Sequence, residues 1–407
     1  MKHTFGHITD RGGNSWMNWL LMPLLLLCLS ACSSADDNNV ATGQTEDTSK
    51  TKLYIYVYAP QEAQSSRAYD GDVNPITNES SVYSLQIWVF GHTSHNLLGY
   101  YTSTGIPGLS KDTPYELIQL TIDETYAETE GRENVDVYVA ANVENSNCNV
   151  TLGENITQAQ LEASLIEKTT VDPFGVTSPV SIVPADVGLP MTGVLRNIPV
   201  TGTAPVLRLD DGGEIATVYL VRTISKLRFA FSRETGGETL TINSIKLNTE
   251  MLPIAEYLFM SAGAPYDRHT CHIKTESGYD ATTPNLLSAP LTEIADNADP
   301  VIYSWGYDEL IPAEYEARIE TAAASGNLTQ RYFYLRESDK LLQGEIKYQV
   351  GNGEEQTTTF TMVDAGGFSR NHVWTIYSYL AESKLKVIVA EVAPWRQTEQ
   401  SYEFYNW

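Results

Sequence analysis

Leu53-Tyr54-Ile55-Tyr56-Val57-Tyr58 alternates aliphatic and aromatic side chains at every step. Successive side chains of an extended chain point to opposite faces, so Leu53, Ile55 and Val57 share one side and three tyrosines share the other. This is a strand with an apolar face that must be covered, yet it stands alone in the sequence. Before it, residues 33–50 are rich in Ser, Thr, Asn, Asp and Gly and hold no apolar cluster, the composition of a tether. After it, a polar stretch runs from Gln61 to Arg67, followed by a loose segment of Asp, Asn, Ser and Pro. The next strong strand begins only at Val82, where residues 82–90 place Leu85, Ile87 and Val89 on one face. Arg67 is the only lysine or arginine between Lys52 and Lys111. It stands in Ser65-Ser66-Arg67-Ala68, a flexible, exposed context open to a protease.

Further toward the N-terminus, Lys2 and Arg11 precede an apolar run over residues 19–29 that ends in Leu29-Ser30-Ala31-Cys32. A basic segment followed by a short apolar one is an export signal. The run is too short to cross a bilayer, which needs about 20 residues. Small residues ending in cysteine at that point resemble the bacterial lipoprotein signal, which implies cleavage before Cys32 and acylation of its thiol and new amine. Acyl chains at about 0.8 kcal/mol per buried CH₂ make a durable anchor when there are two or more. Asp36-Asp37 resembles the acidic export patch of Bacteroidales surface lipoproteins. Residues 1–31 are therefore expected to be a signal peptide, and residues 32–67 a tether plus removable strand.

The chain of 407 residues carries 26 basic and 51 acidic residues, a net charge of -25. Such a balance repels nucleic acid and anionic membrane surfaces and suits a soluble ectodomain. With 24 tyrosines and frequent Thr and Val, the composition favours sheet over helix. Further strands are expected at 115–122, 135–141, 180–183 and 194–198, then at 216–220, 226–232 and 239–247, and finally at 331–335, 345–350, 356–362, 374–380 and 384–392. Thr157-Gln158-Ala159-Gln160 reads as a capping box opening a short helix to about residue 168, with Leu161 and Leu165 on one side. A second helical window covers 312–324, with Gly326 as its stop. Short strands punctuated by turn residues predict a mainly β chain of two tandem antiparallel sandwich-like domains with short helices, residues 68–209 and 210–407. No period of 20 to 50 residues repeats, which argues against a solenoid.

The segment after Pro394 is unusual. Residues 396–401 are polar, and then Tyr402-Glu403-Phe404-Tyr405-Asn406-Trp407 brings four aromatics in six positions. Tyr402 and Phe404 share one face, Tyr405 and Trp407 the other. Fully buried aromatics contribute about 2 kcal/mol or more apiece, so this segment wants a groove, in its own domain or in a neighbour.

Little in the sequence points to chemistry. His92 and His95, or His269, Cys271 and His272, are of types that suit zinc, but no third ligand at a characteristic spacing accompanies the first pair and no defined Cys-His signature covers the second. No Gly-x-Ser-x-Gly elbow, metalloprotease helix or phosphate loop is present. Neither enzymatic activity, nor a cofactor, nor a resident metal is expected. Cys148 and Cys271, 123 positions apart, could form one bridge in an oxidising compartment or be two separately buried thiols. Trp88, Trp305, Trp374 and Trp395 would be the platforms of a glycan-binding module, the alternative class of function, although core packing is the default for aromatics in strands.

Five segments in order resemble the Bacteroidales type V pilins, the major-fimbrillin superfamily. They are residues 82–90, Leu189-Pro190-Met191-Thr192-Gly193, Val221-Arg222-Thr223-Ile224-Ser225-Lys226-Leu227, Arg370-Asn371-His372-Val373-Trp374 and Val392-Ala393-Pro394-Trp395. The resemblance implies transthyretin-like sandwich domains and a structural, adhesive role in a surface fimbria. It also implies a mechanism: a lipoprotein reaches the outer surface of the outer membrane, and an arginine-specific or trypsin-like protease removes its N-terminal strand. The strand of another subunit then fills the groove. Carried onto this sequence, the cut falls between Arg67 and Ala68, the removed strand holds Leu53, Ile55 and Val57, and the donor strand lies in 396–407 with Tyr402, Phe404, Tyr405 and Trp407. The partners implied are other fimbrial subunits, in a homo- or hetero-polymer. A tip or anchor accessory role, or binding to glycans or host matrix, is the alternative.

Overall fold

The computed structural model describes residues 50–60, 79–104, 109, 115–144, 146–167, 188–260, 270–281, 285–297, 321–322, 325–362, 367–381 and 383–390. Cys32, Arg67, Ala68, His269, Trp305, Trp395 and the segment 391–407 with Tyr402, Phe404, Tyr405 and Trp407 lie outside the described residues, as do the expected strand 180–183 and nearly all of the expected helix 312–324.

The described chain is mainly β. Its first part runs β1 (Lys52–Tyr58), β2 (Ser84–Gly91), β3 (Leu97–Thr104), β4 (Tyr115–Thr121), α1 (Glu124–Glu128), β5 (Val135–Ala141), α2 (Gln158–Glu162), β6 (Leu165–Glu167), β7 (Met191–Ile198), β8 (Val200–Thr203), β9 (Val206–Asp211), β10 (Glu214–Ile215), β11 (Thr217–Tyr219) and β12 (Val221–Arg222). The remainder runs β13 (Ser225–Glu234), β14 (Leu240–Leu247), β15 (Ala255–Tyr257), β16 (Asp296–Asn297), β17 (Thr329–Leu335), β18 (Gln343–Val350), β19 (Glu355–Thr361), β20 (Val373–Ala381) and β21 (Lys384–Ala390).

The sheets are open and stack as sandwich-like layers. In one, β1 lies between β4 on one edge and β9 and β11 on the other, with β8 and β10 pairing to β9. Facing it is the sheet β12-β7-β5-β2-β3. Leu85, Ile87 and Val89 of β2 and Val135, Val137 and Val139 of β5 point into a shared core with Leu53, Ile55 and Val57. The opposite face of β2 and β5 is also covered: Trp88, Phe90 and Tyr138 pack with Leu161, Ile166 and Phe259 in a separate apolar cluster. β2 is thus buried on both faces, which is why its sequence is apolar nearly throughout. A further large core gathers Leu227, Phe229 and Phe231 of β13 with Ile242, Ile245, Ile346, Phe360, Trp374 and Ile376, between the sheet containing β13 and β20 and the sheet β14-β18-β19.

Two features differ from expectation. The sheets are mixed, not wholly antiparallel: β1 runs parallel to β9 and β11, and β13 runs parallel to β16 and β20. Each of these partners lies dozens of residues or more from the strand it joins, so no short hairpin forces the antiparallel sense. The helix begun by the capping box at Thr157 is only Gln158–Glu162 long. Leu165 belongs to β6 instead, where it pairs with Tyr257 and its N–H donates to Asn149 Oδ1 at 2.8 Å. Tertiary pairing there overrides a helical propensity too short to sustain itself.

Candidate functional site

The site is the seat of β1. Burial alternates along the strand without a break. Leu53, Ile55, Val57 and Ala59 are each 0% exposed. Full burial of Leu, Ile and Val contributes roughly 2 kcal/mol each, or about 6 kcal/mol together as an upper estimate. Tyr54, Tyr56 and Tyr58 stand on the outer face, half-buried. There Tyr56 meets Tyr115 edge-on at 6.2 Å between ring centres, and Tyr58 meets Tyr219 at 5.2 Å.

Both edges of β1 are paired. Along β4 the register is antiparallel from Lys52 opposite Thr121 to Tyr58 opposite Tyr115. Along the other edge Lys52–Tyr54 run parallel to Val206–Arg208, and Tyr56–Tyr58 run parallel to Thr217–Tyr219. Bonds from Lys52 N–H to Pro205 O (2.9 Å), Tyr56 N–H to Ala216 O (3.1 Å) and Leu220 N–H to Tyr58 O (2.9 Å) close that edge. The entry is fixed by Thr51, whose N–H and hydroxyl both donate to the carboxylate of Glu124, at 2.7 and 3.0 Å. Inward-facing Ile118 and Leu120 of β4, Leu207 of β9 and Val218 of β11 flank Leu53, Ile55 and Val57. Without β1, the sheet would be split into two unpaired edges above an open apolar trench.

The chain on the far side of residues 61–78 is held by a buried polar cluster. Lys226 Nζ lies 2.8 Å from Glu79 Oε1, with both side chains almost wholly buried. The Tyr334 hydroxyl donates to the same carboxylate, and burial together with the Glu79 charge pushes the Tyr334 phenol well above its ordinary pKa. Arg222 donates to Glu79 O at 2.9 Å, Ser80 Oγ at 2.9 Å and Asn371 Oδ1 at 3.1 Å. Asn142, with φ of 58°, accepts from Tyr83 N–H at 2.7 Å and donates to Ser81 O and Leu189 O at 2.8 and 2.9 Å. Glu79 to Ser84 are thus fastened independently of β1. This clamp draws on Arg222, Lys226 and Asn371, residues of two segments that carry the family resemblance, but nothing in their spacing announces a buried cluster.

The residues considered for other chemistry have other occupations. His92 Nδ1 bonds Asp136 Oδ1 at 2.8 Å, and His95 Nδ1 bonds Gln158 Oε1 at 2.9 Å, so each histidine of the hairpin turn has its own partner. Among the described residues no group of three His, Cys, Asp or Glu side chains is placed to hold a metal ion. Cys148 and Cys271 are free thiols. Burial raises the pKa of both, and the Cys271 thiol donates to Ser338 O at 3.2 Å, so neither has thiolate character. His272 is buried beside Arg370, and desolvation with that positive charge lowers its pKa to about 4. Arg370 itself is buried, its Nε and Nη2 both donating to Glu337 Oε2, at 3.0 and 2.8 Å, and it donates to Tyr257 O and Leu258 O. This buried pair joins the β15 loop to the segment before β20. Trp88 and Trp374 are core residues, and the Trp88 indole donates to Gly153 O at 2.9 Å, so neither offers a face to a sugar.

No family model matches the chain, and no curated protein does. Solved structures do. A Parabacteroides distasonis protein named for cell adhesion is 15% identical, with 87% of this chain and 99% of that one covered at a TM-score of 0.49. The tip fimbrial protein Mfa3 of Porphyromonas gingivalis, with C-terminal truncation, is 12% identical, with 85% and 100% covered at 0.45. A fimbrial assembly protein of P. distasonis is 13% identical, with 84% and 98% covered at 0.41. Likeness at this level is one of chain course alone.

Proposed function

We propose that this protein is a surface fimbrial subunit whose β1 is a removable placeholder. The observation that carries the proposal is the seat of β1: an N-terminal strand pairs along both edges in the middle of a sheet and drives three fully buried aliphatics into the core. In sequence, residues 61–78 separate it from the rest of the sandwich, and there Arg67 offers a cleavage site in a polar context. The chain is delivered as a lipoprotein acylated at Cys32 to the outer face of the outer membrane. A trypsin-like or arginine-specific protease cuts between Arg67 and Ala68, and lipid, tether and β1 leave together. The vacated trench takes a strand from another subunit by backbone pairing and side-chain pockets. Tyr402, Phe404, Tyr405 and Trp407 form the strand that this chain gives to a neighbour, and head-to-tail repetition then yields a filament. Its body is two tandem transthyretin-like sandwiches, a reading supported by the separate cores on β1–β2–β5 and on β13–β14–β18. The clamp at Glu79 suits this role, because it holds the new N-terminal region in place when the strand before it departs.

Limited trypsin digestion tests the reading. Cleavage after Arg67 should release the segment containing β1, and the digested protein should then capture a labelled peptide of residues 50–60, whereas intact chain and an uncut Arg67→Ala variant capture none. A nicked protein that keeps its own β1 against excess peptide and takes up no strand would refute it.

A further inference from the structure

The trench is shaped for aliphatic side chains, and the aromatic segment of this same chain does not match it. Resting on the strand-exchange reading above, we infer that the occupant of the trench after cleavage is a strand with branched aliphatic residues at three alternating positions, carried by a subunit of different sequence. A second copy of this chain does not supply it through residues 394–407.

The first ground is the present occupant. β1 places Leu53, Ile55 and Val57 at successive inward positions and the small Ala59 at the next, all four without exposure. Across the sheet Leu53 lies between Leu120 and Leu207, Ile55 opposite Ile118, and Val57 between Val218 and Glu116. The floor is aliphatic too, with Leu85, Ile87, Val89, Val137 and Val139 in the same core. Interiors of this kind are close-packed, and inserting larger groups forces neighbours off their rotamers.

The second ground is the composition of the offered segment. From Pro394 to Trp407 there is no Leu, Ile, Val or Met. With Tyr402, Phe404 and Asn406 inward, two aromatic rings and an amide would replace three aliphatics. With Glu403, Tyr405 and Trp407 inward, a carboxylate and two still larger rings would do so. The first face overpacks two positions and sets Asn406 in Val57's place; the second overpacks two positions and sets the Glu403 carboxylate in Leu53's place, between Leu120 and Leu207, where it finds only hydrocarbon.

A third detail sharpens the selectivity. Opposite Val57 on the inward side stands Glu116, whose Oε2 is buried without a hydrogen-bond partner, and burial raises its pKa. With Glu403 in Leu53's place, Trp407 would replace Val57 there and crowd this buried carboxylate. Valine leaves Glu116 undisturbed.

The test uses protein nicked at Arg67 and freed of its N-terminal fragment, titrated with three labelled peptides. These are residues 50–60, residues 394–407, and residues 50–60 carrying Leu53→Phe, Ile55→Phe and Val57→Phe together. The 50–60 peptide is expected to bind at least tenfold more tightly than either of the others, and nicked protein alone is expected to stay free of ladders. Comparable binding of the 394–407 peptide, or self-polymerisation that is lost on deleting 394–407, overturns the inference while leaving strand exchange intact. Failure of the 50–60 peptide itself to bind overturns the strand-exchange reading, and this inference with it.

Discussion

Truncating Ile55 to alanine should loosen β1 far more than truncating its immediate neighbour Tyr56. Ile55 is 0% exposed and faces Ile118 in the core, whereas Tyr56 is half-buried on the outer face and touches Tyr115, itself 59% exposed. Removing about three carbons from Ile55 forfeits roughly 2.4 kcal/mol of transfer energy at about 0.8 kcal/mol per carbon. The cavity left in a core pinned by β2 and β5 brings the loss to about 3 kcal/mol. That corresponds to roughly 150-fold in affinity. Tyr56→Ala removes an edge-on ring contact of about 1 kcal/mol, or roughly fivefold. Fluorescence anisotropy of 50–60 peptides bearing each change, titrated with nicked and stripped protein, reads the two values directly. Both peptides retain the same backbone bonds, so the ratio isolates side-chain burial. If Tyr56→Ala weakens binding as much as Ile55→Ala, the strand is held by its tyrosine face, and the trench is not the binding element.

Glu79→Gln should lower the thermal midpoint of the intact chain by roughly 5 to 10 °C, because it leaves the buried Lys226 ammonium without its counter-charge at a cost of about 3 kcal/mol or more. An unchanged midpoint in calorimetry would show that the clamp carries no load. His272 binds its proton in the folded chain at about pH 4 and in the unfolded chain near 6.5, so its contribution is intact above pH 6.5 and is lost as pH falls toward 4. Burial pushes Glu256 the other way, to about 8, so its contribution is intact below about pH 4.5 and is lost as pH rises toward 8. A denaturation series from pH 7 to pH 4 comparing wild type with His272→Phe separates the two, and the variant should lose less stability on acidification. Trp88→Ala should destabilise the fold by about 3 to 5 kcal/mol in urea titrations, as expected of a packed core residue. A variant of undiminished stability would return Trp88 to the surface.

The alternation over residues 53–58 carried the most information in the sequence, because a period of two with aliphatics on one face has few other interpretations. Strands β2, β5, β13, β18, β20 and β21 were legible for the same reason, since their apolar faces are long and continuous. The pairing along the second edge of β1 was not, although the strand expected at 216–220 does contain β11. β9 is half exposed and interrupted by Arg208 and Asp210, β11 is three residues long, and both are separated from β1 by about 150 residues of sequence. Nothing local records a parallel pairing at that distance. β3 was missed because Gly99 and a run of Thr and Ser break its pattern. The clamp was hidden for a different reason. Glu79, Arg222, Lys226 and Arg370 are of residue types usually exposed, and only the fold shows them buried and paired. Arg67, Cys32 and the aromatic segment 402–407 rest on sequence alone.

The N-terminal residue of the protein in material recovered from the surface of intact cells is the most direct test of β1 as a placeholder. Edman or mass-spectrometric sequencing of chains in the high-molecular-weight, polymeric fraction should find Ala68 at the N-terminus, with no peptide from residues 32–67. Polymeric chains that begin at acylated Cys32 and still contain Leu53 to Tyr58 would contradict it.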